Sequence, residues 1–186
     1  VKKKRREEAG TCFSVYATPS GFGGVVASSE GLVEVFLPVS DTVEEMKSHI
    51  ARLYPKAAGE NTLTGKAAEM LRKYFSGQKV SFDLPLDLED CTEFRRTVYK
   101  AVSRIPYGSV RTYAEVAAEI KSPKASRGIG SAMAGNPVPI IIPCHRVIGS
   151  DGKMTGYSAP GGTDMKAKLL RMEGVRFEKG EKKVKR

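Results

Sequence analysis

Pro143-Cys144-His145-Arg146-Val147 sets a thiol beside an imidazole and a guanidinium. A thiolate is a soft nucleophile, but free cysteine titrates near about 8.5, so it needs a base or a positive neighbour to ionise at neutral pH. His145 is such a base and Arg146 such a charge. Adjacency alone does not make the pair. In a strand, neighbouring side chains point to opposite faces, so Cys144 and His145 meet only across a bend or a bridging water. A buried, inert cysteine beside a chance histidine is the ordinary alternative for a bare Cys-His pair. Other reactive side chains are few: Cys12, Cys91 and His49. Three cysteines at wide spacing form no disulfide framework and favour a reducing compartment. No spaced Cys/His pairs offer a zinc site, so no metal is expected. His49 lies on a helix beside its apolar stripe and reads as a helix-surface or boundary histidine.

The elements around the thiol come next. Val138–Ile142 is an apolar, strand-like run punctuated by Pro139, and it delivers Cys144. Upstream, Thr92-Glu93 opens a helix with Phe94, Val98, Ala101, Val102 and Ile105 on one face. Tyr113, Val116, Ala117 and Ile120 form a second face at helical spacing. After a break at Lys121-Ser122-Pro123, a further helix runs to about Ala134, and Gly135-Asn136-Pro137 stops it. Two short helices with a short break resemble a helix-turn-helix. The second carries Arg127, Gly130, Ser131 and Ala134 on one face and Ile129 and Met133 on the other. Gly128 and Gly130 each cost roughly 0.5–1 kcal/mol against alanine inside a helix. Something must offset that cost, either tight helix packing or a partner surface that approaches the backbone.

The first half is different. Thr11–Thr18, Val25–Ser28 and Leu32–Leu37 read as three strands of an antiparallel meander, with turns over Pro19–Gly24 and Ser29–Gly31. Thr42 and Glu45 fit a capping box ahead of a helix with Val43, Met46, Ile50 and Leu53 on one face. A second helix spans about Gly65–Ser76, stopped by Gly77. These elements predict an α+β chain: a small antiparallel-sheet N-terminal domain, then a mostly α C-terminal domain with a helix-turn-helix. The divisions fall at a basic tail 1–10, an α+β domain 11–81, a linker 82–91, a C-terminal domain 92–177 and a basic tail 178–186.

Charge follows the same division. The 186 residues carry a formal net charge of +10, which favours a polyanionic partner. Counted by segment, residues 1–10 carry +3, residues 11–90 carry −4, residues 91–177 carry +8 and residues 178–186 carry +3. The two ends read as solvated tails. The sign change near residue 90 puts any anionic partner on the second domain. No run approaches the roughly 18 apolar residues of a membrane span. The basic start is not followed by an apolar stretch, which argues against a secretory signal.

Several motifs stand in fixed order: Ile105-Pro106-Tyr107-Gly108, Tyr113, Arg127–Pro137, Ile141–Val147, Gly156-Tyr157-Ser158, Gly161-Gly162 and Leu169–Gly174. Together they closely resemble the methylated-DNA–protein-cysteine methyltransferases, the O6-alkylguanine-DNA alkyltransferases, over roughly residues 92–177. Residues 11–80 resemble that family's N-terminal domain, a ribonuclease-H-like fold, only in general layout. The resemblance implies DNA repair by stoichiometric transfer of the alkyl group from O6-alkylguanine, and O4-alkylthymine, to Cys144. The transfer would inactivate the protein irreversibly, and no cofactor is implied. His145 would take the thiol proton through a water, and Glu173 would orient His145. Tyr113 would donate a proton to the base and press on a phosphate. Asn136 would tie the turn to the site by hydrogen bonds.

The same resemblance implies a monomer on the minor groove of double-stranded DNA, with the alkylated guanine flipped out. Arg127 would fill the vacated stack, and Gly130, Ser131, Ala134 and Ser150 would contact DNA. Met133, Pro139, Val147, Tyr157 and Ser158 would line the substrate pocket. The expected location is the cytoplasm, at the nucleoid in a prokaryote, with no membrane role. Two departures stand out. Ala159-Pro160 lengthens the loop before the paired glycines, and Tyr99 stands where many members carry Trp. A plain helix-turn-helix binder would leave His145 and Glu173 unexplained. A cysteine hydrolase would need an oxyanion hole for which the sequence offers no separate sign.

Overall fold

A computed structural model describes residues 10–154, 161–178 and 183–185. The chain divides into two compact units, Val1–Asp90 and Cys91–Arg186. Among the described residues, no helix is long and apolar enough to cross a membrane.

The first unit is an antiparallel sheet covered by two helices. Strands β1 (Cys12–Thr18), β2 (Gly21–Ala27) and β3 (Leu32–Ser40) pair in sequence order. The first turn is tighter than the glycine run suggests. Pro19 and Ser20 alone make it, and Gly21 through Gly24 belong to β2. Side chains from other elements crowd two of those glycines. A Cβ on Gly23 would collide with the Tyr16 ring, whose hydroxyl donates to the Phe36 carbonyl at 2.8 Å. A Cβ on Gly24 would lie 2.7 Å from Ile50 Cδ1.

Helices α1 (Val43–Leu53) and α2 (Thr62–Phe75) follow. Thr42 caps α1 by accepting from the Glu45 N–H, while Glu45 reaches back to the Asp41 N–H at 3.0 Å. Asn61 and Thr64 form a reciprocal capping box, which starts α2 three residues before Gly65. Met46, Ile50 and Tyr54 pack with Val26 and Val33 as the core of this unit. His49 is half-buried on α1, edge-on to the Phe36 ring at 5.1 Å. Residues 82–90 do not run free. Leu32 N–H donates to the Pro85 carbonyl and Asp87 N–H to the Leu32 carbonyl, both at 2.9 Å.

Among its described residues, the second unit has four helices and one short parallel strand pair. Helix α3 (Glu93–Val102) is capped by Thr92 and buries Val98, Tyr99, Ala101 and Val102. Phe94 departs from the expected apolar face and is 38% exposed. Strand β4 (Arg111–Thr112) leads directly into α4 (Tyr113–Glu119), where Thr112 and Glu115 make a capping box. A turn with Lys121 at φ 55° separates α4 from α5 (Ser126–Ala134). Strand β5 (Val147–Ile148) pairs parallel to β4, and α6 (Gly162–Met172) closes the unit.

Two more segments depart from their expected form. Val138–Ile142 is a tight turn rather than a strand. Ile142 N–H donates to the Val138 carbonyl at 2.9 Å and Ile140 takes φ 74°. Pro139 has no N–H for a ladder, and each isoleucine is buried separately. The C-terminal tail is also not wholly solvated. Val184 is buried against Ile148, Met154, Ala167 and Leu170. Its N–H donates to the Gly152 carbonyl at 3.0 Å, and Lys185 N–H donates to the Arg176 carbonyl at 2.9 Å.

Candidate active site

Cys144 opens a single 3-10 turn, Cys144–Arg146, between the Val138–Ile142 turn and β5. All three side chains of that turn are buried. The turn removes the difficulty that a strand would pose, because Cys144 and His145 no longer alternate across a sheet.

Glu173, only 5% exposed, is the hub of the polar groups behind the thiol. Its Oε1 lies 2.7 Å from His145 Nε2. The Arg146 guanidinium grips it as a fork, Nε to Oε2 and Nη2 to Oε1, both at 2.9 Å. The third Arg146 nitrogen donates to the Ile105 carbonyl at 2.7 Å. Gly108 N–H donates to Glu173 Oε2 at 3.1 Å, and Tyr107 hydroxyl donates to the Met172 carbonyl at 3.2 Å. A Cβ on Gly108, which has φ 76°, would lie 2.8 Å from the Glu173 carbonyl oxygen. The Ile105–Gly108 turn therefore clamps the carboxylate that α6 delivers.

Protonation follows from burial. His145 is fully buried, and burial, helped by the nearby Arg146 and Lys166 charges, lowers its pKa against the opposing pull of the Glu173 carboxylate. The imidazole is therefore neutral at neutral pH. With Nε2–H directed at Glu173, Nδ1 is the nitrogen able to accept a proton. Burial also pushes the Cys144 thiol up. The Asn136 side-chain amide, the Lys166 ammonium and the N–H groups of Cys144 and His145 pull it back. Lys166 is itself buried, donates to the Val147 carbonyl at 2.6 Å, and is pushed down to about 8 by burial against the opposing pull of Cys144.

Asn136 does two further things. Its Nδ2 donates to the Ile142 carbonyl at 2.8 Å, and its Oδ1 accepts from the Val138 N–H at 3.1 Å. One side chain thus closes the turn that leads to the thiol. Met133 and Val147 are buried and Pro139 is half-buried; Tyr157, Ser158 and the Ala159-Pro160 extension lie outside the described residues. Tyr113, half-buried, is the first residue of α4. Arg127, Ser131 and Ala134 are exposed along α5, with Gly130 half-buried among them, and Ser150 is exposed in the turn after β5. A Cβ on Gly130 would meet nothing within 4 Å. Tyr99 is buried, and its hydroxyl donates to the Ala132 and Gly135 carbonyls at 2.9 and 3.0 Å, fixing the end of α5 on α3.

Sequence reasoning missed the roles of Arg146 and Lys166. A signal for Lys166 was present. It stands seven residues before Glu173, two helical turns, and so shares the inward face of α6. Among the described residues, no cluster of three or more His, Cys, Asp and Glu side chains could hold a metal ion.

Residues 93–175 match the family model described as 6-O-methylguanine DNA methyltransferase, DNA binding domain. A methylated-DNA–protein-cysteine methyltransferase of Methanosarcina barkeri is 54% identical over 108 residues, covering 58% of this chain and 66% of its own length. The constitutive methylated-DNA–protein-cysteine methyltransferase of Bacillus subtilis is 36% identical over 166 residues, 89% of this chain and 97% of that protein. The crystal structure of Mycobacterium tuberculosis OGT in complex with DNA superposes with a TM-score of 0.70 at 35% identity, covering 87% of this chain and 92% of that one.

Proposed function

The chain belongs to the methylated-DNA–protein-cysteine methyltransferase family, and on that premise we propose that it repairs DNA by moving the alkyl group of O6-alkylguanine onto its own Cys144. The observation that carries this reading is the buried His145–Glu173 pair at 2.7 Å, placed directly after a buried thiol that Asn136 and Lys166 polarise. It is the nucleophile, base and orienting carboxylate of a triad, arranged for a substrate that excludes water.

The thiol loses its proton to His145 Nδ1 through a bridging water, and Glu173 stabilises the imidazolium. The thiolate attacks the sp³ alkyl carbon. A carbon–sulfur bond forms, the carbon–O6 bond breaks, and the electron pair leaves on the guanine oxygen. Tyr113 donates a proton to the departing base and recovers one from solvent. The product is a thioether, which water does not displace, so each molecule acts once. O4-alkylthymine presents the same alkyl–oxygen bond and is a second substrate.

The reacting atom lies inside the duplex, so the base must leave the stack. The exposed face of Arg127, Gly130, Ser131 and Ala134 is small enough to enter a minor groove, with Arg127 as the long side chain that fills the gap. Ser150 contacts the backbone. Met133, Pro139 and Val147 border the flipped base. The protein acts as a monomer, and its free thiols suit the reducing cytoplasm.

Incubation with duplex DNA carrying labelled O6-methylguanine tests this. Label should accumulate on Cys144 to one equivalent per protein and be absent from Cys144→Ser. Turnover beyond one equivalent, or tight binding without transfer, would overturn it.

A further inference from the structure

The first turn of α3 lies against α5 through two glycines. The Phe94 ring comes within 3.1 Å of where a Cβ on Gly128 would sit, and the Arg95 guanidinium within 2.9 Å of where one on Gly135 would. Positions 128 and 135 are seven residues apart and so open on one side of the helix. Arg127, Ser131 and Ala134 are exposed one position earlier, about 100° round the same axis. Arg95 is thus held at the rim of the exposed face, at the carbonyl end of α5, where the helix dipole favours a cation.

Its neighbours in this unit are engaged elsewhere. Arg96 donates to the Cys91 carbonyl, Arg104 and Arg111 pair with Glu119, and Arg146 grips Glu173. Among the described residues, the Arg95 guanidinium has no ion pair and no hydrogen bond. A half-buried guanidinium packed on a glycine with no counter-charge is pre-set for an anion. Its planar fork suits two phosphate oxygens.

We propose that Arg95 binds a backbone phosphate of the DNA, extending the interface beyond the helix-turn-helix to α3. The proposal rests on the DNA-repair reading above. Gly135 is then explained as the residue that admits the guanidinium, and the partial exposure of Phe94 as the edge of the same contact.

Anisotropy titrations of an undamaged fluorescent duplex, over a range of salt concentrations, test this with the full chain. Arg95→Gln should weaken binding about five- to tenfold at low salt. It should also reduce the magnitude of the slope of log K against log salt by about 0.9, the value of one phosphate contact. Arg95→Lys should keep the slope and lose only about two- to threefold in affinity, because charge remains and the fork does not. Lys56→Gln, an equal charge change in the first unit, should leave the slope unaltered. An unchanged slope in Arg95→Gln, a slope change equal to that of Lys56→Gln, or a full loss in Arg95→Lys would each overturn the proposal while the repair function stands. Wild-type protein with no salt-dependent binding would overturn both.

Discussion

Glu173 serves two cations of opposite purpose. Arg146 is a permanent charge held against it, and His145 becomes one only when a proton arrives. The folded state favours neutral His145, because burial, with the Arg146 and Lys166 charges, prevails over the carboxylate. This group therefore contributes stability that is full above the ordinary imidazole value of about 6.5 and is lost as pH falls through its lower folded value. In the proposed mechanism the same titration removes the base, so transfer should slow on the acid side of that range. Lys166 supplies the complementary effect at the thiol. Lys166→Met should move the thiolate absorbance titration of Cys144 upward, and each unit should slow transfer at neutral pH about tenfold, with recovery in alkali. An unmoved titration would leave Lys166 only its bond to the Val147 carbonyl. The Cys-His adjacency was legible as a string, and Glu173 through its place in a familiar order of motifs. The Arg146 fork was not, since its acceptor stands 27 residues away. Lys166 looked like any helix lysine until its inward face was known.

Among the elements, α5 separates two reasons for glycine in a helix. Gly128 is filled by Phe94, and Gly130 faces open space. Gly130→Ala should stabilise the fold by about 0.5–1 kcal/mol in a denaturation series, since alanine removes backbone entropy at no steric cost. The same change should weaken duplex binding if the face meets a groove. Gly128→Ala should show little or no gain, because the Phe94 ring must shift. Equal stability gains at both positions would contradict this division. Periodicity revealed α5 and its two faces, because one stripe is apolar and the other small. It misread the glycine run of β2 as a turn and the Val138–Ile142 turn as a strand. In both places composition follows a neighbour rather than the local backbone. Tyr16 and Ile50 crowd Gly23 and Gly24, and Asn136 closes the isoleucine turn.

At the scale of the molecule, charge and chemistry are concentrated in the second unit, and distant segments hold its site together. The segment read as a C-terminal tail has one apolar residue, Val184, among Lys182, Lys183, Lys185 and Arg186. Nothing local distinguishes it from a solvated end. Yet its side chain packs on Ile148 of β5, on Met154, and on Ala167 and Leu170 of α6. Those neighbours adjoin the reactive groups: β5 follows the Cys144–Arg146 turn, and α6 carries Lys166 and leads to Glu173. A Cβ on Gly152 would meet the Val184 carbonyl oxygen at 2.9 Å, so the ladder leaves no slack there. Full burial of a valine is worth roughly 1.5–3 kcal/mol. Val184→Ala should therefore cost about 1–2 kcal/mol in urea unfolding, and Val184→Asp more, because an unpaired carboxylate cannot stay in that cluster. Amide exchange should rise at position 184 and at Lys185, whose N–H groups donate to the Gly152 and Arg176 carbonyls, while β1 to β3 in the other unit keep their protection. Wild-type stability and protection in Val184→Asp would show that the segment is the solvated tail its composition suggested.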